Sequence, residues 1–305
     1  MTASASTAGF SAPRLAFRAL HEQGCFVIPN PWDPGTARYL GQLGFRALAT
    51  TSAGFAFSRG LPDSSRAMPV DAVLGHIADI VSATDLPVNA DFESGYADDP
   101  EGVAANVRRC VATGVAGLSI EDATGDRARP LHDLPRAVER LAAARAAIDE
   151  SGTGVLLTAR AECFLVGHED PLRESIRRLT AYAGAGADVL FAPGIYQRDD
   201  IKALTDALAP KPVNVLVGRN IGLTVADLAE LGVRRISVGS ALARAAWTRF
   251  IEAARDIAAE GRFTSLEGLT PFADLNTFFK GLADRTERLS TARSETRPDP
   301  PSRGA

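Results

Sequence analysis

The chain of 305 residues is 46% hydrophobic and 23% charged, with 33 basic residues against 37 acidic ones and a net charge of −4. This supplies ample material for a large core, and the lack of a basic stripe or an aromatic-interleaved Lys/Arg cluster excludes a nucleic-acid surface. No stretch approaches the roughly 20 apolar residues that cross a bilayer, and Cys25, Cys110 and Cys163 are widely spaced with no CxxC pair, which predicts reduced thiols and a cytoplasmic protein.

In chain order, the opening MTASASTAGFSAPRLAF lacks the continuous apolar run of a secretory leader, and residues 1–15 read as a flexible arm. Eight strand-like runs follow: CFVIPN (25–30), RALATTS (46–52), LPVNADFE (86–93), GLSIED (117–122), GVLLTAR (154–160), DVLFAPG (188–194), PVNVLV (212–217) and RRISVGS (234–240). Between them lie segments of helical period, many opening on Asp followed by Pro or Glu and ending in Gly. The strands are apolar throughout rather than alternating, as expected when both faces are covered. This alternation predicts a (β/α)8 TIM barrel over residues 16–262. The rival is a doubly wound open sheet, but NPWDPGTA after the first strand is not the Gly-rich turn such a sheet carries. Residues 263–288 read as a helical extension, with Phe272, Leu275, Phe279 and Leu282 on one face that must cover either its own barrel or a neighbour's. The polar, Pro-rich residues 289–305 read as a disordered tail.

Catalytic groups of such barrels stand at the C-terminal ends of strands. Here those ends carry Thr51 and Ser52, then Asp91 and Glu93, Glu121 and Asp122, Arg160 and Glu162, and Asn214. Residues two apart on a strand share a face, so Asp91 and Glu93 are expected to point the same way. Carboxylates converging with Glu121 would repel one another without a cation. An all-oxygen cluster suits Mg²⁺, which keeps several waters and takes one or two direct carboxylates.

Each of these residues also has a plainer role open to it. Asp98 or Asp99 before Pro100 reads as a helix cap, and Asp122 could be another. Arg160 fits either an ion pair with Glu121 or Glu162 or a fork for a substrate carboxylate. Asn214, in an apolar strand, must be hydrogen-bonded to a neighbour or a ligand. His76, His132 and His168 read as surface or capping residues, His21 precedes the first strand at the wrong end, and Cys163 reads as a small buried thiol.

The segments NPWDPGTARYLGQLGFRALATTSAG, LPD, NADFESGYADDP, GLSIEDATGD, LLTARAECFL and GADVLFAPG, in this order and spacing, resemble the isocitrate lyase/phosphoenolpyruvate mutase superfamily over roughly residues 25–245. The PFADLNTFF segment resembles a subgroup of it. The resemblance implies a Mg²⁺-dependent barrel (Mn²⁺ being the alternative ion) that acts on a 2-oxo or 2-hydroxy acid through an enolate-type intermediate. It also implies a homo-oligomer, dimer or tetramer, that exchanges its C-terminal helix; charge and hydropathy, as above, predict neither nucleic acid nor membrane as partner. By position, Asp91 is similar to the direct metal ligand, and Glu93, Glu121 and Asp63 to acids that hold the metal's waters. Thr51, Ser52 and Ala53 resemble the loop that grips a substrate carboxylate or phosphonate. Arg160 resembles the guanidinium that orients substrate, and Asn214 a substrate-side residue.

The departures bear on the reaction. Lyases of the superfamily carry a Lys-Lys-Cys-Gly-His type loop after strand four, and phosphonopyruvate-handling relatives a Lys and an Asn there. This chain has ATGDRARPLHD. Glu93 also stands where Asp is usual. The expectation is therefore a carbon–carbon lyase or decarboxylase of a small dicarboxylic acid, with Arg160 and Glu121 in catalysis and His132 or water as proton donor. A phosphonopyruvate-type C–P enzyme and a non-catalytic oxo-acid binder are the alternatives.

Overall fold

The computed structural model describes residues 11–64 and 67–282. Its elements run α1 (Ala12–Leu20), β1 (Phe26–Ile28), α2 (Pro34–Gln42), β2 (Leu48–Ala49), α3 (Ser52–Ser58), α4 (Val70–Ser82), β3 (Val88–Asp91), α5 (Pro100–Ala112) and β4 (Gly117–Glu121). They continue with α6 (Leu134–Glu150), β5 (Leu156–Arg160), α7 (Pro171–Gly184), β6 (Val189–Phe191), α8 (Arg198–Leu208), β7 (Val213–Leu216), α9 (Val225–Glu230), β8 (Arg235–Ser237) and α10 (Ala241–Glu260). The strands pair in parallel in the order β1-β8-β7-β6-β5-β4-β3-β2. At the seam between the two ends, Ala49 N–H donates to Pro29 O at 3.0 Å, and Asn30 Nδ2 donates to Thr50 O at 2.9 Å. The expected (β/α)8 TIM barrel is the observed one.

Local chemistry explains the helix starts. Asp33, Asp99 and Asp170 each precede a Pro that is preset for the first helical turn, and each side chain accepts a backbone N–H, from Thr36, Gly102 and Arg173 respectively. The chain over 12–15 departs from the expected arm: it is the first turn of α1, and residues 1–10 lie outside the described ones. α1 closes the N-terminal end of the barrel. Its Phe17 is fully buried among Phe26, Ile28, Ala116 and Leu156, and Arg14 Nε donates to Val115 O at 3.0 Å. An amphipathic helix packs wherever it removes apolar area from water, and here the open barrel end supplies that surface.

The described residues form two compact units that divide between Ala246 and Trp247, inside α10 rather than after residue 262. In the second unit residues 272–282 are helical, as expected. Phe250, Phe263 and Phe272 are exposed there, Phe272 by 83%. The tail expected over 289–305 lies outside the described residues. Among the described residues no helix is long and apolar enough to cross a membrane.

Candidate active site

The C-terminal ends of the strands surround a cavity of about 250 Å³, lined among others by Thr51, Ser52, Ala53, Asp63, Asp91, Arg160 and Asn214. Strand order explains the gathering. β3, β4 and β5 are neighbours, and Glu121 lies directly beside Arg160 in register. Arg160 is the hub. Its Nη1 donates to Asp91 Oδ1 at 2.7 Å and its Nε to Glu162 Oε1 at 2.9 Å, and its Nη2 lies 3.0 Å from Glu121 Oε2. The sequence left the choice of ion-pair partner open between Glu121 and Glu162; both are used, and Asp91 joins them. Three acids around one guanidinium hold it firmly in its protonated form, while burial raises the carboxyls of Glu121 and Glu162.

Asp91 is fixed from the other side. Its Oδ2 accepts from the Ser52 backbone N–H at 3.1 Å and from the Ser52 hydroxyl at 3.0 Å. Thr51 Oγ1 is engaged in capping α3 through Gly54 N–H. The hydroxyls of the strand-two loop are therefore already bonded, and among its backbone donors Ala53 N–H stands in the first turn of α3, where no intrahelical acceptor exists. Asp63 reaches the rim and is exposed on its outer side. Packing against the rim and the charge of Asp91 raise its carboxyl, offset in part by Ser52.

Glu93 does not share a strand face with Asp91. β3 ends at Asp91, and Glu93 takes a left-handed φ of 41°, followed by Tyr96 at 54°. Such angles are unfavourable for residues with a Cβ, and the surroundings enforce them. Glu93 O accepts from Glu121 N–H at 2.9 Å. Arg140, buried under the loop, donates to the carbonyls of Ser94, Ala97 and Asp98. Glu93 is thereby turned into a small side cavity beside Asp91, with Tyr96, Met68 and His76. Tyr96 OH donates to its Oε1 at 3.1 Å. Burial, then the charges of Asp91 and Asp63, push its carboxyl up to about 8.

A carboxyl raised on folding binds its proton more tightly in the folded state, so its stabilising contribution is present at low pH and is lost as pH rises through about 8. Metal-free protein should therefore lose stability between about pH 5 and pH 8 more steeply than Glu93→Gln, which retains the acceptor for Tyr96. Parallel thermal melts of the two proteins across that range test this, and equal slopes would show that Glu93 is not the titrating group.

Asp99, not Asp98, caps α5. Asp122 points away from the cavity into a buried knot, where it accepts from Arg178 at 3.0 Å, Tyr182 OH at 2.6 Å and Glu162 N–H at 2.9 Å. Asn214 is bonded on both sides of its amide, donating to Ser237 Oγ and accepting from Arg235 Nε. His76 is buried rather than superficial, stacked on Phe55 at 3.9 Å. His132 lies outside the main cavity, beside Ser94, Tyr96 and Thr124. Cys163 is a buried free thiol, as expected. Asn30 and Arg235 went unnoticed in the sequence. Asn30 gave a usable signal, a polar residue at the end of the first strand run, and its Oδ1 accepts from Val238 N–H and Gly239 N–H.

Asp91, Glu121 and Glu162 ring the Arg160 guanidinium, and burial, then the charge of Asp91, raises Glu93 and Asp63. No group of three or more His, Cys, Asp or Glu among the described residues is disposed to hold an ion directly. Both oxygens of Asp91 already accept from Arg160 and Ser52, so a hard cation that keeps most of its water, as Mg²⁺ does, would be held here through a single carboxylate.

The phosphoenolpyruvate phosphomutase family model matches residues 17–258. A solved chain from Burkholderia cenocepacia J2315 is 50% identical, with a TM-score of 0.83, covering 88% of this chain and 95% of that one. Oxaloacetate decarboxylase of Paraburkholderia xenovorans is 31% identical over 73% of each chain. 2-Methylisocitrate lyase of Escherichia coli is 30% identical over 65% of this chain and 67% of its own. An eight-stranded barrel with an Asp91–Arg160 mouth and these relatives has one reading: the chain belongs to the isocitrate lyase/phosphoenolpyruvate mutase superfamily.

Proposed function

We propose that the protein is a Mg²⁺-dependent carbon–carbon lyase or decarboxylase acting on a small 2-oxo or 2-hydroxy dicarboxylic acid through an enolate-type intermediate. The observation that carries this reading is the ring of three carboxylates on Arg160, of which Asp91 lines the main cavity together with Asp63 and Arg160 itself. Asp91 would be the direct ligand, with Asp63, Glu93 and Glu121 holding the ion's water; Mn²⁺ suits the same oxygen donors. Once bound, the ion supplies a Lewis acid for the substrate oxygen on which negative charge develops.

The chain's own groups do the rest. Arg160 has five N–H donors, of which three are engaged by acids. The other two serve a substrate carboxylate, and the three acids hold the fork in place before substrate arrives. Ala53 N–H offers a donor to the same ligand. In the decarboxylase version, the bond to the departing carboxylate breaks, its electron pair stays on the carbon next to the carbonyl, and CO₂ leaves. A proton from water then completes that carbon. Among the described residues the main cavity is lined by no Cys, His or Lys, which supports water as the donor. The loop ATGDRARPLHD, without a Cys or Lys, favours a second reading, a site that binds an oxo acid without turning it over.

Calorimetry with oxalate, an enolate mimic, tests the site. Binding is expected only with Mg²⁺ present, and its absence would overturn the reading. Turnover assays on oxaloacetate, 2-methylisocitrate, dimethylmalate and phosphonopyruvate then decide the reaction. Turnover of a dicarboxylate is expected; turnover of phosphonopyruvate alone selects C–P chemistry, and binding without turnover selects the non-catalytic reading.

We further propose that the chain works as a homo-oligomer. Phe250, Phe263 and Phe272 are apolar side chains left open in the C-terminal unit, and a second copy would cover them. Light scattering should give the mass of a dimer or tetramer; a monomer at micromolar concentration would rule this out.

A further inference from the structure

β8 begins with a buried cation of unusual surroundings. Arg235 is 3% exposed and lines the main cavity. Its Nε donates to Asn214 Oδ1 at 2.8 Å and its Nη2 to Thr158 Oγ1 at 3.1 Å, and its Nη1 lies 3.4 Å from His21 Nε2. His21 is itself kept neutral, lowered to about 3 by burial and by Arg235, and its Nδ1 sits 2.7 Å from Phe17 O. All three partners are therefore uncharged, and among the described residues no carboxylate pairs with Arg235. The other deeply placed arginines differ. Arg160 has three acids, Arg178 has Asp122 and Glu174, and Arg140 is wrapped by backbone carbonyls. Burial alone pulls the Arg235 guanidinium down to about 9. A buried charge without a counter-charge is costly to a fold unless something arrives to neutralise it.

Its depth is informative. Thr158, which Arg235 touches, stands two residues before Arg160 on β5. Residues two apart face the same way at about 3.3 Å per residue, so the Thr158 position that Arg235 reaches lies roughly 7 Å along the strand from the Arg160 position. One position is crowded with acids at the mouth, and the other holds a cation whose partners are all neutral. A short-chain dicarboxylate bridges such a spacing.

Building on the reading of the mouth given above, we propose that Arg235 is a specificity residue that receives the distal carboxylate of the substrate, while the reacting 2-oxo or 2-hydroxy acid end is held at Asp91 and Arg160. Asn214 and Thr158 then act as positioning residues for the guanidinium. The cavity selects a dianion over the corresponding monoacid, because only the dianion supplies the missing counter-charge.

Malate and lactate share a 2-hydroxy acid head and differ by the distal carboxylate. With Mg²⁺ present, calorimetry on the wild type should show malate bound about tenfold or more tightly than lactate, the scale of one hydrogen-bonded charge pair. Arg235→Gln should erase that preference and leave oxalate and lactate affinities unchanged, and Arg235→Lys should restore part of it. If Arg235→Gln fails to fold, Arg235→Lys decides: malate should weaken more than lactate. Equal losses for oxalate, lactate and malate, or an intact preference for malate, would overturn the proposal. If the wild type takes no oxalate with Mg²⁺, the reading of the mouth falls on its own. Arg235 is then judged in metal-free buffer, where malate should raise the melting temperature of the wild type but not of the variant, and the proposal fails if it does not.

Discussion

Asp91→Ala should abolish Mg²⁺-dependent turnover, lowering kcat/KM by at least about 10³-fold, the scale of removing one preorganised electrostatic partner from an active site. It should also remove the dependence of oxalate binding on Mg²⁺. The fold should hold, because Arg160 keeps Glu121 and Glu162, and because the loss of Asp91 relieves Glu93 and Asp63 of a like charge. The variant is thus expected to melt close to the wild type. Steady-state kinetics with a Mg²⁺ titration, read beside a melting curve, decide the matter. Intact turnover would remove Asp91 from the ion, and a collapsed fold would make it structural.

Asp122→Ala should do the reverse. Glu121 and Asp122 are adjacent acids at the end of β4, yet alternation along the strand turns them to opposite sides. Glu121 meets Arg160 at the mouth, and Asp122 meets Arg178 and Tyr182 of α7 beneath the surface. Deleting Asp122 leaves the Arg178 guanidinium, which is 8% exposed, with Glu174 as its remaining acid. Breaking a buried pair from one side costs about 3–5 kcal/mol. For a chain of this size that is a fall in Tm of roughly 10 °C. Calorimetric melts of Asp122→Ala and Asp122→Asn should rank wild type, then Asn, then Ala, because Asn keeps acceptors for Tyr182 and the Glu162 N–H. A change below about 1 kcal/mol for the Ala variant would show that the knot does not support the fold.

These two predictions mark how far the candidate site could be read from the sequence. The mouth was legible because its residues sit at strand ends, and parallel strands in barrel order bring consecutive ends together. Asp91, Glu121 and Arg160 needed no more than that. Glu93 was legible as an acid but not as a position, since the left-handed turn that carries it depends on Arg140 clamping the loop from α6, some fifty residues away. Arg235 was hidden for a different reason. It opens its strand instead of ending it, and a basic residue beside Arg234 reads as surface until β7, β5 and α1 are placed around it.

By itself, the sequence determined whatever depends on near neighbours: the eight apolar strands, the Asp–Pro helix starts, the order of acids and Arg160 along the chain, and the family those motifs resemble. Only the tertiary structure decided how α1 seals the barrel, which partner each carboxylate oxygen meets, and which arginine stays without a counter-charge. Strand and helix signals arise from side chains a few positions apart. Hydrogen-bond partners and burial are set by groups far apart in the chain, which the closing of the barrel brings within a few ångströms.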